Sequence, residues 1–298
     1  MEVLSIENIT KSFGTKQVLR GVSFAVEENS IFGFIGRNGA GKTTTMKIIL
    51  GLLKADSGSI TVCEEPVSYG QTATNRYVGY LPDVPEFYPY MKAKEYLKLC
   101  GEITGLSGKE LQSRIDELLT LVGLSKEKGR IGGYSRGMKQ RLGIAQALIG
   151  KPKLLICDEP TSALDPLGRH EILDILLEAK EQTSVLFSTH ILSDVEKISD
   201  HVAFLEGGEV KKSGAINELI SSRKETGVRI VLKNPSDTER IVKAFSDAEI
   251  TDGGLDFKSL SAKQEKRLFE FLSGEEIQIN RFERKEPDLE DLFLEVVG

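Results

Sequence analysis

The strongest constraint on the fold of this 298-residue chain is the segment IFGFIGRNGAGKTTTMKIIL, residues 31–50, in which a glycine-rich loop joins two apolar runs. Residues 31–35 are apolar and aromatic, which is typical of a buried strand, and the apolar spacing over 43–50 predicts a helix. The loop GRNGAGKT fits the pattern G-x-x-x-x-G-K-[ST] of a phosphate loop. The sequence therefore predicts a strand, a phosphate loop and a helix of an α/β fold.

Each residue type in this loop has a chemical reason to be there. Glycines let backbone N–H groups curl around an anion because they carry no Cβ atom, and the helix N-terminus adds its positive dipole end. Lys42 is expected to reach the outer phosphates and the Thr43 hydroxyl to ligate Mg²⁺. The alternative is an ordinary glycine-rich turn. The predicted nucleotide-binding residues of the loop are Gly36, Asn38, Gly39, Ala40, Gly41, Lys42, Thr43 and Thr44.

Composition narrows the class of protein. The chain is 40% hydrophobic and 28% charged, which is typical of a soluble globular protein, and its length predicts one large domain and a smaller one. A net charge of −6 argues against a general nucleic-acid binder. The cysteines at 63, 100 and 157 lack metal-ligand spacing, which predicts a reduced cytoplasmic compartment and no zinc site. No apolar run approaches the ~20 residues of a membrane span, so we expect another chain to cross any membrane.

The order of predicted elements indicates a first domain over residues 1–218. Residues 1–30 alternate apolar and polar positions, which predicts an antiparallel β edge. Over about 84–150, apolar residues recur every three or four positions, which predicts a helical lobe. Apolar strands and helices then alternate up to a hairpin at Gly207 and Gly208, and such alternation predicts a mostly parallel sheet core.

The remainder, residues 219–298, is predicted to be a small α+β domain. SSRKETG, residues 221–227, has the composition of a linker. The segments after it have the order strand, helix, strand, strand, helix, strand, with Gly253-Gly254 fitting the central hairpin turn, which is typical of a ferredoxin-like sandwich. PDLEDLFLEVVG, residues 287–298, predicts a terminal amphipathic helix.

The segment LLICDEP, residues 154–160, is an apolar strand that ends in two carboxylates. A parallel strand carries its acidic end to the sheet edge where the phosphate loop opens. We expect Asp158 to hold Mg²⁺, directly or through water, and Glu159 to orient and deprotonate the attacking water. Successive strand side chains point in opposite directions, which would separate these two roles. A helix-capping acidic turn is the alternative.

The segment YSRGMKQRLGIAQAL, residues 134–148, places Ser135 and Gly137 at the head of a predicted helix. Ser135 is a good N-cap, which is a purely structural role. A helix N-terminus flanked by Arg136 and Lys139 is also an anion site, and we favour contact with phosphate.

Together these motifs carry a resemblance. The phosphate loop, YSRGMKQRL, LLICDEP, SALD at 162–165 and STH at 188–190 follow one another as in the ATP-binding subunits of ABC transporters, which this chain resembles over about 1–218. The resemblance implies a P-loop NTPase cassette with a mostly parallel sheet, an antiparallel edge and a helical lobe. YSRGMKQRL and the closing EPDLEDLFLEV are similar to the branch that exports drugs, antibiotics or lipids.

The resemblance implies that two chains enclose two ATP molecules head to tail. The helix headed by Ser135 and Gly137 would close on the γ-phosphate held by the other chain, and the region of Asp165 would link the two sites. His190 would contact the γ-phosphate and hold the attacking water. The implied partners are a second copy or a related ATP-binding subunit, and an integral membrane subunit that holds this chain at the inner face of the membrane.

Two further positions follow from the resemblance. Phe13 lies where the family places an aromatic ring on the adenine base, the alternative being a core residue of the edge strand. Asp83 stands where the family usually has glutamine. Aspartate is shorter and charged, and it would either ligate Mg²⁺ through water or lie away from the site.

The segment VPEFYPYMKAKEYL, residues 84–97, offers Phe87, Tyr88 and Tyr90 just after Asp83. In the family a groove near this segment receives a helix of the membrane subunit. Exposed aromatic side chains there would form a docking surface, and core residues of the helical lobe are an equal alternative.

These observations favour an ATPase subunit that dimerises on ATP and powers a separate membrane subunit of an exporter. The alternative is a soluble cassette ATPase that acts on nucleic acid or assembles another complex. Members of the wider group that act on nucleic acid insert long coiled coils or carry two cassettes in one chain, and the sequence shows neither feature. We therefore expect no nucleic-acid partner.

Overall fold

The computed structural model describes residues 1–71, 73–221, 227–251, 254–257, 260–285 and 289–297. Within these the chain forms two compact units, Met1–Ile216 and Asn217–Val296. Most of the predicted linker, the glycine at 253 and the first residues of the predicted terminal helix lie outside the described residues.

Among the described residues, the first unit contains ten strands and six α-helices, and a seventh α-helix begins at its last residue. The strands are β1 Glu2–Phe13, β2 Lys16–Glu27, β3 Ile31–Gly36, β4 Ser57–Val62, β5 Glu65–Pro66, β6 Val78–Leu81, β7 Leu154–Asp158, β8 Ser184–Thr189, β9 His201–Glu206 and β10 Glu209–Ala215. The helices are α1 Lys42–Ile49, α2 Ala93–Ile103, α3 Gly108–Leu121, α4 Arg136–Leu148, α5 Pro166–Ala179, α6 Leu192–Ile198 and α7 Ile216–Ser221, which begins at the last residue of the unit.

Two sheets form the framework of this unit. The larger has the order β10-β9-β3-β8-β7-β6, and only β10 runs antiparallel to its neighbour. The smaller, β2-β1-β4-β5, is antiparallel throughout. Apolar residues of both sheets and of α1 share one core, in which the rings of Phe24 and Phe32 stack 5.1 Å apart. The predicted mostly parallel sheet, antiparallel edge and helical lobe are confirmed.

The phosphate loop lies at the centre of the larger sheet. Every residue of β3 is buried, because β8 and β9 flank the strand and α1 packs against it. The strand ends at Gly36 and the helix begins at Lys42. Gly41 has φ +118°, and a Cβ atom there would lie 2.5 Å from Leu19 Cδ2, so the turn into α1 requires glycine.

The carboxyl ends of the parallel strands bring distant segments to this edge. Strands that run in the same direction end at the same side of a sheet. The residues at these ends are Gly36 of β3, Leu81 of β6, Asp158 of β7 and Thr189 of β8. The loops that follow them hold most of the predicted site residues.

The second unit contains β11 Gly227–Leu232, α8 Thr238–Ala244, β12 Ala248–Thr251, β13 Gly254–Phe257, α9 Ala262–Gly274, β14 Ile279–Lys285 and α10 Leu289–Val297. Its antiparallel sheet has the order β12-β13-β11-β14, which supports the predicted ferredoxin-like topology. Its core includes Ile230, Phe257 and Leu268, which come from the sheet and α9. No helix among the described residues of either unit is both long and apolar enough to cross a membrane.

Candidate functional site

A cleft of about 360 Å³ opens at the carboxyl edge of the larger sheet. Its lining residues are Val18, Asn38, Gly39, Gly41, Lys42, Thr43, Thr44, Asp83, Glu159, Ser162 and His190. The phosphate loop and the segments after β6, β7 and β8 therefore meet in one place. A larger cleft of about 570 Å³, lined mainly by α3 and the end of α5, holds none of the predicted site residues.

Lys42 is buried within the loop that presents it, with only 6% of the residue exposed. Its Nζ donates hydrogen bonds to the carbonyl oxygens of Gly36 at 2.6 Å and Arg37 at 3.3 Å. The same Nζ lies 3.0 Å from Glu159 Oε1, an ion pair without a well-aligned hydrogen bond. The loop thus holds one ammonium group close to the carboxylate of Glu159, the residue that follows β7.

Glu159 joins the loop to the end of β8. Its Oε2 lies 2.9 Å from His190 Nδ1, while Oε1 faces Lys42. The Glu159 side chain is 13% exposed and that of His190 is 45% exposed, so solvent reaches this group mainly from the histidine side. The arrangement places one carboxylate between two basic groups.

The two carboxylates of LLICDEP are separated by a turn. Asp158 is the last residue of β7, and Glu159 follows it with φ +49°. The expected explanation, alternation along a strand, is wrong, because Glu159 lies outside the strand and in the left-handed region. This turn directs Glu159 toward Lys42 and His190.

Asp158 is almost fully buried and is held by a residue to which the sequence assigned no role. Ser188 Oγ donates a hydrogen bond to Asp158 Oδ1 at 2.6 Å and accepts one from the backbone N–H of Glu159 at 3.1 Å. The only sequence signal for Ser188 was its place in STH. Val18 and Ser162 also line the cleft without having been predicted.

The oxygen donors at this edge of the larger sheet fit Mg²⁺. Thr43 offers a hydroxyl oxygen, and Asp158 and Asp83 offer carboxylate oxygens, which are ligands that Mg²⁺ prefers. Among the described residues, no group of three or more His, Cys, Asp or Glu side chains could hold a metal ion. A Mg²⁺ ion here would therefore take its other ligands from phosphate and water, as is usual for this metal.

Asp83 lines the cleft and also contacts the helix headed by Ser135. Its Oδ1 lies 3.6 Å from Arg136 Nη2, and its backbone oxygen accepts a 2.8 Å hydrogen bond from Nε2 of the buried Gln140. Burial raises the pKa of Asp83, Arg136 opposes this rise, and the carboxylates of Asp158 and Glu159 add to it. Asp83 thus connects the cleft to α4.

Seven predicted residues are not among those that line this cleft. Gly36 and Ala40 belong to the phosphate loop and Asp158 ends β7, whereas the other four are Phe13, Ser135, Gly137 and Asp165. Ser135 caps α4 by accepting a 3.2 Å hydrogen bond from the N–H of Met138, and Asp165 caps α5 in the same way from Gly168 at 3.1 Å. Gly137 lies in the first turn of α4. Phe13 ends β1 with half its surface exposed, so the alternative of a core residue is wrong.

Of the aromatic residues after Asp83, one packs in the helical lobe and two are exposed as a docking surface would require. The ring of Phe87 packs edge-on against Tyr96 of α2, 5.1 Å between centroids. Tyr88 and Tyr90 are 50% and 66% exposed. Phe87 therefore belongs to the packing of the helical lobe, and the two tyrosines form an exposed aromatic pair.

Comparisons with known proteins agree with this arrangement. The family described as ABC transporter matches residues 19–162, and the family described as ATP-binding protein DrrA1-3-like, C-terminal domain, matches residues 214–297. The chain is 40% identical to the uncharacterized ABC transporter ATP-binding protein YxlF of Bacillus subtilis (strain 168), over 99% of each chain. The chain is an ABC transporter ATP-binding protein.

Other members of the family are similar over nearly the full length. The bacitracin transport ATP-binding protein BcrA of Bacillus licheniformis is 33% identical over 99% of this chain and 97% of its own. The linearmycin resistance ATP-binding protein LnrL of Bacillus subtilis (strain 168) is 32% identical over 99% and 98%. A solved ATP-binding subunit of an ABC transporter superposes with TM-score 0.67 at 32% identity, covering 74% of this chain and 92% of that one.

Membership of this family establishes the general activity. This ABC transporter subunit binds and hydrolyses ATP and powers a transporter whose membrane part is a separate subunit. The transport hypothesis from the sequence is confirmed over the soluble, nucleic-acid-directed alternative.

Proposed function

We propose that this ABC subunit pairs on ATP with a second copy or a related subunit and drives export through its membrane partner. It would act as a peripheral protein on the cytoplasmic face of the cell membrane. Similarity over nearly the full chain to proteins named for bacitracin transport and linearmycin resistance supports a drug or antibiotic exporter. The meeting of Lys42, Glu159 and His190 in one cleft carries the catalytic part of the proposal.

Lys42 would exchange its present partners for the outer phosphates of ATP. Its ammonium group now faces the Gly36 carbonyl and the Glu159 carboxylate, so an entering phosphate oxygen competes with both. The triphosphate of ATP carries several negative charges, whereas the carboxylate carries one and the carbonyl none, so the triphosphate attracts the ammonium more strongly. Binding of ATP would therefore release Glu159 from its ion pair.

Glu159, once released, would act as the general base. It would accept a proton from the water whose oxygen attacks the γ-phosphorus, while the bond from that phosphorus to the β-phosphate oxygen breaks and ADP leaves. His190, 2.9 Å from Glu159 Oε2, would hold the carboxylate and contact the γ-phosphate. Both residues would serve one proton transfer.

Thr43, Asp158 and Asp83 would hold Mg²⁺. The ion would neutralise charge on the phosphates when it is bound. Asp158 presents its free oxygen from a buried position, which supports a firm ligand, whereas the half-exposed Asp83 supports contact through water.

The remaining predicted residues would act on the nucleotide held by the other chain. Ser135 and Gly137 form a helix N-terminus outside this chain's own cleft, which supports a role in trans. Asp165, at the head of α5, would link the two sites. Phe13 would stack on adenine, since its ring is exposed at the end of β1.

Replacing Ser135 by alanine in a Glu159→Gln background is expected to weaken the ATP-dependent dimer by ~10-fold or more. A hydroxyl that binds a charged phosphate contributes about 1.5–3 kcal/mol. Light scattering after gel filtration with Mg²⁺ and ATP would measure the dimer. Ser261→Ala is the matched control, because Ser261 caps α9 in the second unit by accepting an equivalent hydrogen bond from the backbone N–H of Gln264. Equal dimerisation of Glu159→Gln with and without Ser135→Ala would remove Ser135 from the interface.

Tyr88 and Tyr90 would dock the membrane subunit. Replacing both by serine is expected to leave ATP turnover of the isolated subunit within about twofold, because surface substitutions away from the cleft usually have small effects. Loss of exposed aromatic anchors should reduce recovery of the membrane subunit on copurification from membranes by ~10-fold or more. Tyr69→Ser is the control, since Tyr69 is 62% exposed elsewhere on the unit. Undiminished copurification of the double variant would exclude this surface.

A further inference from the structure

Ser188 contacts both of the consecutive acidic residues Asp158 and Glu159. It is fully buried near the end of β8 and pairs with Asp158 in the register of β7 and β8. Its hydroxyl contacts the side chain of Asp158 and the backbone of Glu159 at once. Neither the family assignment nor the relatives' names give this residue a role.

The direction of both hydrogen bonds follows from the chemistry of the partners. The Glu159 N–H can only donate, so the Ser188 oxygen accepts from it at 3.1 Å. The single hydroxyl proton is then left for Asp158 Oδ1, 2.6 Å away. One hydroxyl therefore fixes one oxygen of Asp158 and leaves the other oxygen to ligate a metal.

The second bond acts on Glu159 through the backbone. Glu159 has φ +49°, a conformation that costs free energy for a residue other than glycine and that persists when surrounding contacts hold it. Its N–H is held by both the hydroxyl and the carbonyl oxygen of Ser188, the latter at 3.2 Å. This turn determines that the Glu159 side chain lies between Lys42 and His190.

We propose that Ser188 is a positioning residue that aligns Asp158 for Mg²⁺ and Glu159 for water with one hydroxyl. This inference rests on the proposed roles of those two carboxylates. Removal of a group that orients a metal ligand in this way typically lowers metal affinity or activity by 10–100-fold.

The test uses the full chain with Ser188→Ala and Ser188→Cys. Alanine removes the hydroxyl and leaves a space, whereas cysteine fills that space with a weak donor. We expect both variants to raise the Mg²⁺ concentration at half-maximal binding of a fluorescent ATP analogue by about 10–100-fold. Binding of the analogue in EDTA should match that of the wild type, and ATP turnover at moderate Mg²⁺ should fall by a similar factor.

Ser184→Ala is the matched control. Ser184 is also buried in β8, at the opposite end of the strand, and its hydroxyl accepts a 2.9 Å hydrogen bond from the N–H of Asn29. Ser184→Ala should lower the stability against urea denaturation to a similar extent as Ser188→Ala, without changing the Mg²⁺ dependence of analogue binding. A wild-type Mg²⁺ response in Ser188→Ala, a normal response restored by Ser188→Cys, or an equal loss in Ser184→Ala would each overturn the assignment. Mg²⁺-dependent binding of the ATP analogue is measured separately for the wild type. If the wild type shows no such binding, the proposed nucleotide site itself fails, whatever result Ser188→Ala gives.

Discussion

Glu159→Gln is expected to lower ATP turnover by about 10²-fold or more while ATP still binds. The amide keeps the size of the side chain but cannot accept the proton of the attacking water. It also ends the ion pair with Lys42, so the ammonium should be more available to phosphate and ATP affinity should stay the same or rise. An ATP-bound dimer should therefore accumulate.

Phosphate release would measure the ATP turnover, and light scattering would measure the ATP-bound dimer. Glu181→Gln is the control, since Glu181 is an exposed residue after α5 that lines the other cleft. Turnover equal to that of the wild type would remove Glu159 from the role of base. Loss of ATP binding would instead show that its carboxylate holds the loop in a binding-competent form.

Lys42→Ala is expected to weaken ATP binding by about 10–100-fold, because a hydrogen bond to a charged group contributes roughly 1.5–3 kcal/mol. The substitution removes the buried ammonium group that faces both the loop carbonyls and Glu159. It also leaves the Glu159 carboxylate beside the phosphates without its cation, which adds repulsion. Both effects lower the affinity for ATP.

A binding titration with Mg²⁺ and ATP would measure this loss, and urea denaturation would show that the variant is folded. Lys47→Ala is a matched control, because Lys47 lies on the exposed face of the same helix, in its last turn. ATP affinity that is the same in wild type and Lys42→Ala would contradict the assignment of the phosphate loop.

Local patterns were sufficient to predict most of the architecture. The phosphate loop could be recognised because its glycines, lysine and threonine must occur at fixed spacing for backbone N–H groups to surround an anion. The hairpin at Gly207 and Gly208 was equally local, since β9 and β10 pair directly across it. The element order of the second unit followed from changes of apolar period between helix and strand.

The arrangement within the site was harder to predict, because it depends on strand register and on turns. Alternation along β7 suggested opposite directions for Asp158 and Glu159, yet Glu159 lies beyond the strand in a left-handed turn. The contact of Asp83 with Arg136 joins the end of β6 to the head of α4, and each segment alone gives no signal of the other. Asp83 as a metal ligand, and the residues proposed to act in trans, remain predictions.

The sequence by itself determined the phosphate loop, the succession of strands and helices, and the types of acidic and basic groups that the cleft contains. These depend on the geometry of neighbouring residues and on apolar periodicity, which are local properties. The tertiary structure alone decided that Ser188 bridges Asp158 and Glu159, and that Lys42 and His190 hold the two oxygens of one carboxylate. Such contacts arise only when parallel strands adopt one register, since that register is a property of the packed sheet.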